Sequence, residues 1–387
     1  MDCQMIISSI ELSNFRCFGE SPTTLELSVG STAIIGANAS GKTALLTALR
    51  RLFGVSRSER DILRTDFHEQ PGLPAGDRSA RSLYIEAIFS FPELSDGGDS
   101  NAVPPTFRHM SLGEPGGDLT CRIRLEASWV DDGTSEGAVE QEIFWVLGTE
   151  NPPPDDQKKR MSAQDRGMIQ VHYIPATRDP STQTRYGVGS GMGRLLRAIS
   201  WNDTTRTSVE EASAGIQESL DANPAMGLIN GLLQKRWMTL HDGPLDENTR
   251  LQFSATNFNQ VIQNFEAVFS PSEQNDEREL MNLSDGQQSL FYLALIAAVT
   301  DVEGQHSRAM NIQNTEDQEE EGSGNDSEPE NGLGFQTTQM RSPSLTIIAL
   351  EEPENHLAPH YLGRIIDLPP IALPLIISDS RPVEAWA

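Results

Sequence analysis

Apolar and polar positions alternate at the start of the chain, where "MIISSIELS" leads into "NFRCF", and this period of two predicts a first strand. "TTLELSVGSTAIIG" repeats the strand pattern, and "KTALLTALRRLF" then switches to the three-and-four spacing of a helix. After the polar, turn-rich "SRSERDILRTDFHEQPGLPAGD", three segments are dense in aromatic and β-branched residues: "SLYIEAIFSF", "LTCRIRLEASWV" and "EQEIFWVLG". They predict an antiparallel β-subdomain over residues 82–148, closed by the turn material of "TENPPPDDQKK". "MIQVHYIPATRDP" reads as a buried strand ending in a loop. Residues 190–270 are mostly helical in pattern, through "GRLLRAI", "VEEASAGIQESLDAN" and "FNQVIQNFEAVF". These helices form either a coupling or dimerisation arm or ordinary core packing. No internal repeat is found, and the expected class is α/β.

One stretch carries chemistry on its own. "GANASGKT" fits G-x-x-x-x-G-K-[ST] with Gly36, Gly41, Lys42 and Thr43. Glycines allow the tight turn that points successive N–H groups at phosphate oxygens, and the start of the following helix favours the same anion. Lys42 is expected to reach the β- and γ-phosphates, and the Thr43 hydroxyl to ligate Mg²⁺. A short apolar strand before the loop and a helix after it supply the context that this motif requires. The expected nucleotide-binding set is Gly36, Asn38, Ser40, Gly41, Lys42, Thr43 and Ala44.

Composition narrows the picture. At 387 residues, with 37% hydrophobic positions, 14 Phe and 5 Trp, the chain can build a core and is not a disordered protein. Cys3, Cys17 and Cys121 lack pairing or metal spacing, which suits a reducing cytosol. Neither a secretory leader nor an apolar run long enough to cross a bilayer is expected. The net charge of −27 repels nucleic acid, so a DNA contact would need a local patch or a partner. The best basic candidates, "KKR" at 158–160 with Arg178, Arg185, Arg194 and Arg197, read first as surface charge, and no base-reading residues stand out. "TEDQEEEGSGNDSEPENG" at 315–332 reads as an acidic disordered linker, either a solvated spacer or a regulatory segment.

Two later segments complete the pattern. "LSDGQ" precedes a strongly apolar helical stretch, with Ser284 as its N-cap and Gly286 permitting a close backbone approach. "SLTIIALEEPENHLAP" gives an apolar strand ending in Glu351 and Glu352. Two carboxylates there suit a magnesium ion and an attacking water.

Loop, "LSDGQ" and "ALEEPENHL", in this order, resemble an ABC-type ATPase head of the SMC/RecF class. "IELSNFRCF", "DFH", "YIPATRD" and "EEPENHLAP" make the chain most similar to the OLD (overcoming lysogenization defect) family of ATP-dependent endonucleases. The resemblance implies an ABC-type P-loop head over 1–303 and 344–387, with the β-subdomain, a helical arm and a linker at 304–343. It implies ATP and Mg²⁺, and a nucleotide sandwiched between two copies. Ser284, Gly286 and Gln287 would then face a γ-phosphate held by the partner. Glu351 would hold the metal, Glu352 would be the hydrolytic base, and Asp66 would stand at a metal-sensing position. Arg16 would match a basic residue near the nucleotide or be a surface arginine, and Glu354 and Asn355 would cross the dimer interface.

The sequence departs from that pattern twice. Such heads place a switch histidine after the next strand, where this chain has "IISDS", leaving His356 or His360 as substitutes. OLD proteins also carry a C-terminal TOPRIM nuclease domain, and too few residues follow Glu354 to form one. The expectation is therefore a cytoplasmic ATP-hydrolysing head in DNA repair or anti-phage defence, with the nuclease missing or on another chain. The alternatives are a non-hydrolysing ATP switch that scaffolds a partner nuclease, or a truncated gene product.

Overall fold

The computed structural model describes residues 5–28, 30–70, 72, 78–91, 105–112, 119–134, 136–175, 191–240, 257–265, 267–269, 278–317, 335, 343–352 and 372–378. Contacts divide the chain into two compact units. The first comprises Met1–Gln183, Leu283–Asn311 and Arg341–Ala387, and the second Thr184–Asn282 and Ile312–Met340.

The first unit opens with β1 (Ile6–Ser13), β2 (Thr23–Glu26), β3 (Thr32–Ile35), α1 (Lys42–Phe53) and α2 (Arg57–Arg60). β4 (Arg81–Ser90), α3 (Pro105–His109), β5 (Thr120–Val130), β6 (Ala138–Val146), β7 (Lys158–Arg160), α4 (Ala163–Arg166) and β8 (Ile169–Ile174) follow. The second unit holds α5 (Gly191–Ala198), α6 (Asp203–Asp221), α7 (Pro224–Leu240), α8 (Phe258–Gln263), β9 (Val268–Phe269) and β10 (Arg278–Glu279). α9 (Asp285–Asp317) starts in the first unit, where β11 (Leu345–Glu351) and β12 (Ala372–Ser378) also lie.

Alternation builds the antiparallel sheet, ordered β2-β1-β4-β5-β6-β7. Ile85, Ala87 and Phe89 of β4 face Ile123 and Leu125 of β5 in the core, all at most 1% exposed. Burying an aliphatic or aromatic side chain of this kind stabilises by about 1.5–3 kcal/mol. The other face is polar, and Glu86 there is matched by Arg122 and Arg124 at 2.8 and 3.0 Å. Lys158 on the edge strand β7 pairs with Glu126 and Asp155, and Arg160 pairs with Glu142. Two of the three "KKR" charges are thus met by the chain's own carboxylates.

The second sheet is parallel, ordered β3-β12-β11-β8. All seven residues of β11 are buried, because helices cover both of its faces. Leu345, Ile347 and Ala349 join the cluster that contains α1, while Ile348 and Leu350 pack with Leu293 and Ile296 of α9. β12 is paired on both sides even though Pro374, opposite Ile348, has no N–H to donate.

Some sequence expectations shift. In "FNQVIQNFEAVF" the helix stops at Gln263, and Val268–Phe269 pair with β10 instead, the turn being supplied by Asn264. α9 runs on to Asp317, into the stretch read as linker. The rest of the acidic segment, Arg178, Arg185, Glu354, Asn355, His356 and His360 lie outside the described residues. α6 and α7 leave Ile216, Leu228, Ile229 and Leu232 exposed. No helix among the described residues is long and apolar enough to cross a membrane.

Candidate functional site

The loop from Gly36 to Thr43 joins the end of β3 to the start of α1. Its turn is closed by the Ser40 N–H donating to Ala37 O at 3.1 Å, with Ala39 in the left-handed region at φ 63°. The two motif glycines sit in tight places, Gly41 through its backbone conformation as well as its surroundings. A Cβ on Gly36 would lie 2.7 Å from Ser40 Oγ, and Gly41 has φ 97° with Cys17 Sγ and the Phe18 ring 3.0 Å from where its Cβ would be. Lys42 folds back, its Nζ donating to the carbonyls of Gly36 and Ala37 at 2.7 and 3.0 Å. Asn38 and Ser40 are exposed on the loop, while Ala44 is buried in the first turn of α1.

That first turn differs from its counterparts. α2, α6 and α8 begin under the side chains of Ser56, Asn202 and Asn257, each accepting a backbone N–H. α1 begins at Gly41 with no capping side chain and no acidic residue in its first turn. The partial positive charge at such a helix start favours an anion.

Strand parity brings the second component. Glu351 continues the Leu345, Ile347, Ala349 series and so emerges on the α1 face of the sheet. There Thr43 Oγ1 donates to Glu351 Oε1, across 308 positions of sequence. Tyr173 OH donates to Oε2 at 2.5 Å, and Glu351 is 8% exposed. Burial, then the bond to Glu351 and its charge, push the Tyr173 phenol well above its ordinary range, against the Arg50 guanidinium 5.3 Å from its ring centroid. A hydroxyl beside a carboxylate is a hard-oxygen donor pair, which fits Mg²⁺. Among the described residues no group of three His, Cys, Asp or Glu forms a metal cage. Glu352 follows at φ 45°, a left-handed turn that takes the chain out of the strand.

The remaining sequence-predicted residues stand elsewhere. Asp66 is fully buried, and both its oxygens are taken. Arg16 bonds Oδ1 at 2.8 and 2.9 Å, and Arg51 Nε and the Leu63 N–H bond Oδ2 at 2.7 and 3.0 Å. The carboxylate therefore ties the loop after β1 to the back of α1. Ser284 does cap α9: the Gln287 N–H donates to Ser284 Oγ, and the Ser284 N–H to Gln287 Oε1. Ser284 and Gln287 are exposed and Gly286 is half-buried. α9 packs on the sheet face opposite α1, so these three residues are not gathered around their own chain's loop.

Residues 5–87 match the AAA ATPase domain family. No curated protein matches the chain. Among solved structures, an Smc head bound to the C-terminal winged-helix domain of ScpA is 16% identical, with TM-score 0.45 over 98% of this chain and 91% of that one. A Pyrococcus furiosus Smc head with an extended coiled coil, bound to the C-terminal domain of ScpA, gives 13% and 0.44 over 97% and 90%. RecF with ATP gives 12% and 0.36 over 98% and 93%.

Sequence reasoning missed Tyr173 as a site residue. It lies within "YIPATRD", but nothing local marks it, because its relation to Glu351 depends on the β8–β11 register, Ala349 opposite Tyr173. Arg16 is half-buried at φ 50°, 5.8 Å from the Phe15 ring centroid, and is committed to Asp66.

Proposed function

We propose that the chain binds Mg-ATP at Gly36–Thr43 and hydrolyses it as an ABC-type, OLD-like ATPase head that closes around nucleotide with a second copy. The observation that carries this reading is the meeting of Thr43 and Glu351 at the mouth of a loop whose helix is left uncapped. On nucleotide entry Lys42 exchanges the loop carbonyls for phosphate oxygens, and the first N–H groups of α1 bind the same anion. Thr43 and Glu351 hold the magnesium ion, which when bound neutralises charge on the β- and γ-phosphates. Glu352, turned out of the strand beside Glu351, orients the attacking water and accepts its proton. Ser284, Gly286 and Gln287 of each copy face the other's γ-phosphate, which the exposure of Ser284 and Gln287 supports. Asp66 acts as an anchor and not as a metal ligand. The cellular role we assign is DNA repair or anti-phage defence, with any nuclease on a partner chain.

Glu352→Gln tests the reading. Turnover is expected to fall by more than tenfold, with a stable ATP-bound dimer in size-exclusion chromatography. Undiminished turnover excludes Glu352 as the base.

A second reading has its own observation. β12 lies between β3, which leads into the loop, and β11, which ends in Glu351. Asp379 follows β12 in the sequence where such heads have a switch histidine, and its negatively charged carboxylate cannot donate to a γ-phosphate. A nucleotide-dependent switch without turnover follows if the wild type dimerises with ATP yet releases no phosphate.

A further inference from the structure

Glu351 is held at both carboxylate oxygens, by Thr43 on α1 and by Tyr173 on β8. The parallel register sets Tyr173 opposite Ala349, on the sheet face where Glu351 emerges. Arg50 covers the ring and reaches Glu59 at 3.4 Å, so the nearby cation meets the π-face while a neutral O–H meets the carboxylate. The division has a chemical consequence. A guanidinium paired with Glu351 would offset the charge that a divalent cation needs, whereas a phenol fixes the carboxylate's rotation and leaves its charge in place.

We propose that Tyr173 is a positioning residue for a divalent cation at Thr43 and Glu351, its hydroxyl holding Oε2 so that Oε1 faces the Thr43 hydroxyl. The inference rests on the nucleotide-site reading above and adds to it the group that aims the metal-binding carboxylate. Hydrogen-bond partners of ligating groups typically carry about 10–100-fold of metal affinity.

Tyr173→Phe keeps the ring, its packing and its contact with Arg50. The measurement is a Mg²⁺ titration of fluorescent ATP-analogue binding, with the analogue's Kd also taken in EDTA. A packing defect weakens binding in EDTA and in Mg²⁺ alike. Lost positioning instead raises the half-saturating Mg²⁺ by roughly tenfold relative to any change in EDTA. In a Glu351→Gln background, where no charge remains to be aimed, the same substitution is expected to move the half-saturation less than about twofold. Equal half-saturation in wild type and Tyr173→Phe, or a full tenfold loss in the Glu351→Gln background, overturns the inference while leaving the nucleotide site standing. Failure of the wild type to bind the analogue under either condition overturns the nucleotide reading itself.

Discussion

The helices α1 and α9 start against opposite faces of one parallel sheet, and they complete their first turns in opposite ways. α9 satisfies itself: Ser284 and Gln287 exchange bonds across its first turn, and Asp285 complements the positive end of the helix dipole. α1 has neither device, since a left-handed glycine occupies the cap and the first turn lacks an acid. Thr43 in that first turn is exposed, while Ala44 and Leu45 just behind it are only 6% and 5% exposed. On the function proposed above, that helix start, with Lys42 at its head and Glu351 beside the Thr43 hydroxyl, receives an anion and its counter-cation. The comparison sets a helix end capped by its own side chains against one without such a cap.

The largest test of that contrast concerns what holds α1 in place. Asp66→Ala leaves the buried Arg51 guanidinium without its partner and is expected to cost about 3–5 kcal/mol in urea denaturation. A loss below about 1 kcal/mol would contradict the anchoring role. Lys42→Ala comes next, because removal of a charge-assisted phosphate contact weakens nucleotide binding by about 1.5–3 kcal/mol or more. Calorimetric titration with Mg-ATP measures it, and unaltered affinity would erase the distinction between the two helix starts. At the other start, Ser284→Ala removes an exposed cap and is expected to cost about 1 kcal/mol of stability, together with a weaker ATP-dependent dimer. The smallest effect is read at the cysteines. Cys17 is exposed and abuts Gly41, so Mg-ATP is expected to slow its alkylation, measured by mass spectrometry. Cys121 is buried, its thiol pushed up to about 12 by burial, and stays unmodified with or without nucleotide. Equal Cys17 rates with and without nucleotide would place the ligand away from the loop.

Much of this was legible along the chain. The phosphate loop, α1, β4 to β6 and the cap at Ser284 follow from spacing, because each depends on neighbours within a few residues. Asp66 shows where such reading stops. In "DFH" the carboxylate matches a motif position, yet its partners Arg16 and Arg51 are distant in sequence, and only their convergence settles that it anchors the fold. The end of "FNQVIQNFEAVF" is similar, since the same apolar residues suit either a helix or a strand until β10 pairs with them.

By itself the sequence determined the local grammar: a glycine loop that can cradle phosphate, the helix that follows it, and an apolar strand that ends in two acids. These are consequences of backbone sterics and side-chain period, which act over a turn or a pleat. The tertiary structure decided which of those pieces meet. Insertion of β12 between β3 and β11, and the register of β8 on β11, bring Thr43, Glu351 and Tyr173 together at one sheet edge. That choice belongs to strand pairing and to burial of both sheet faces, long-range terms that no short stretch of the chain contains.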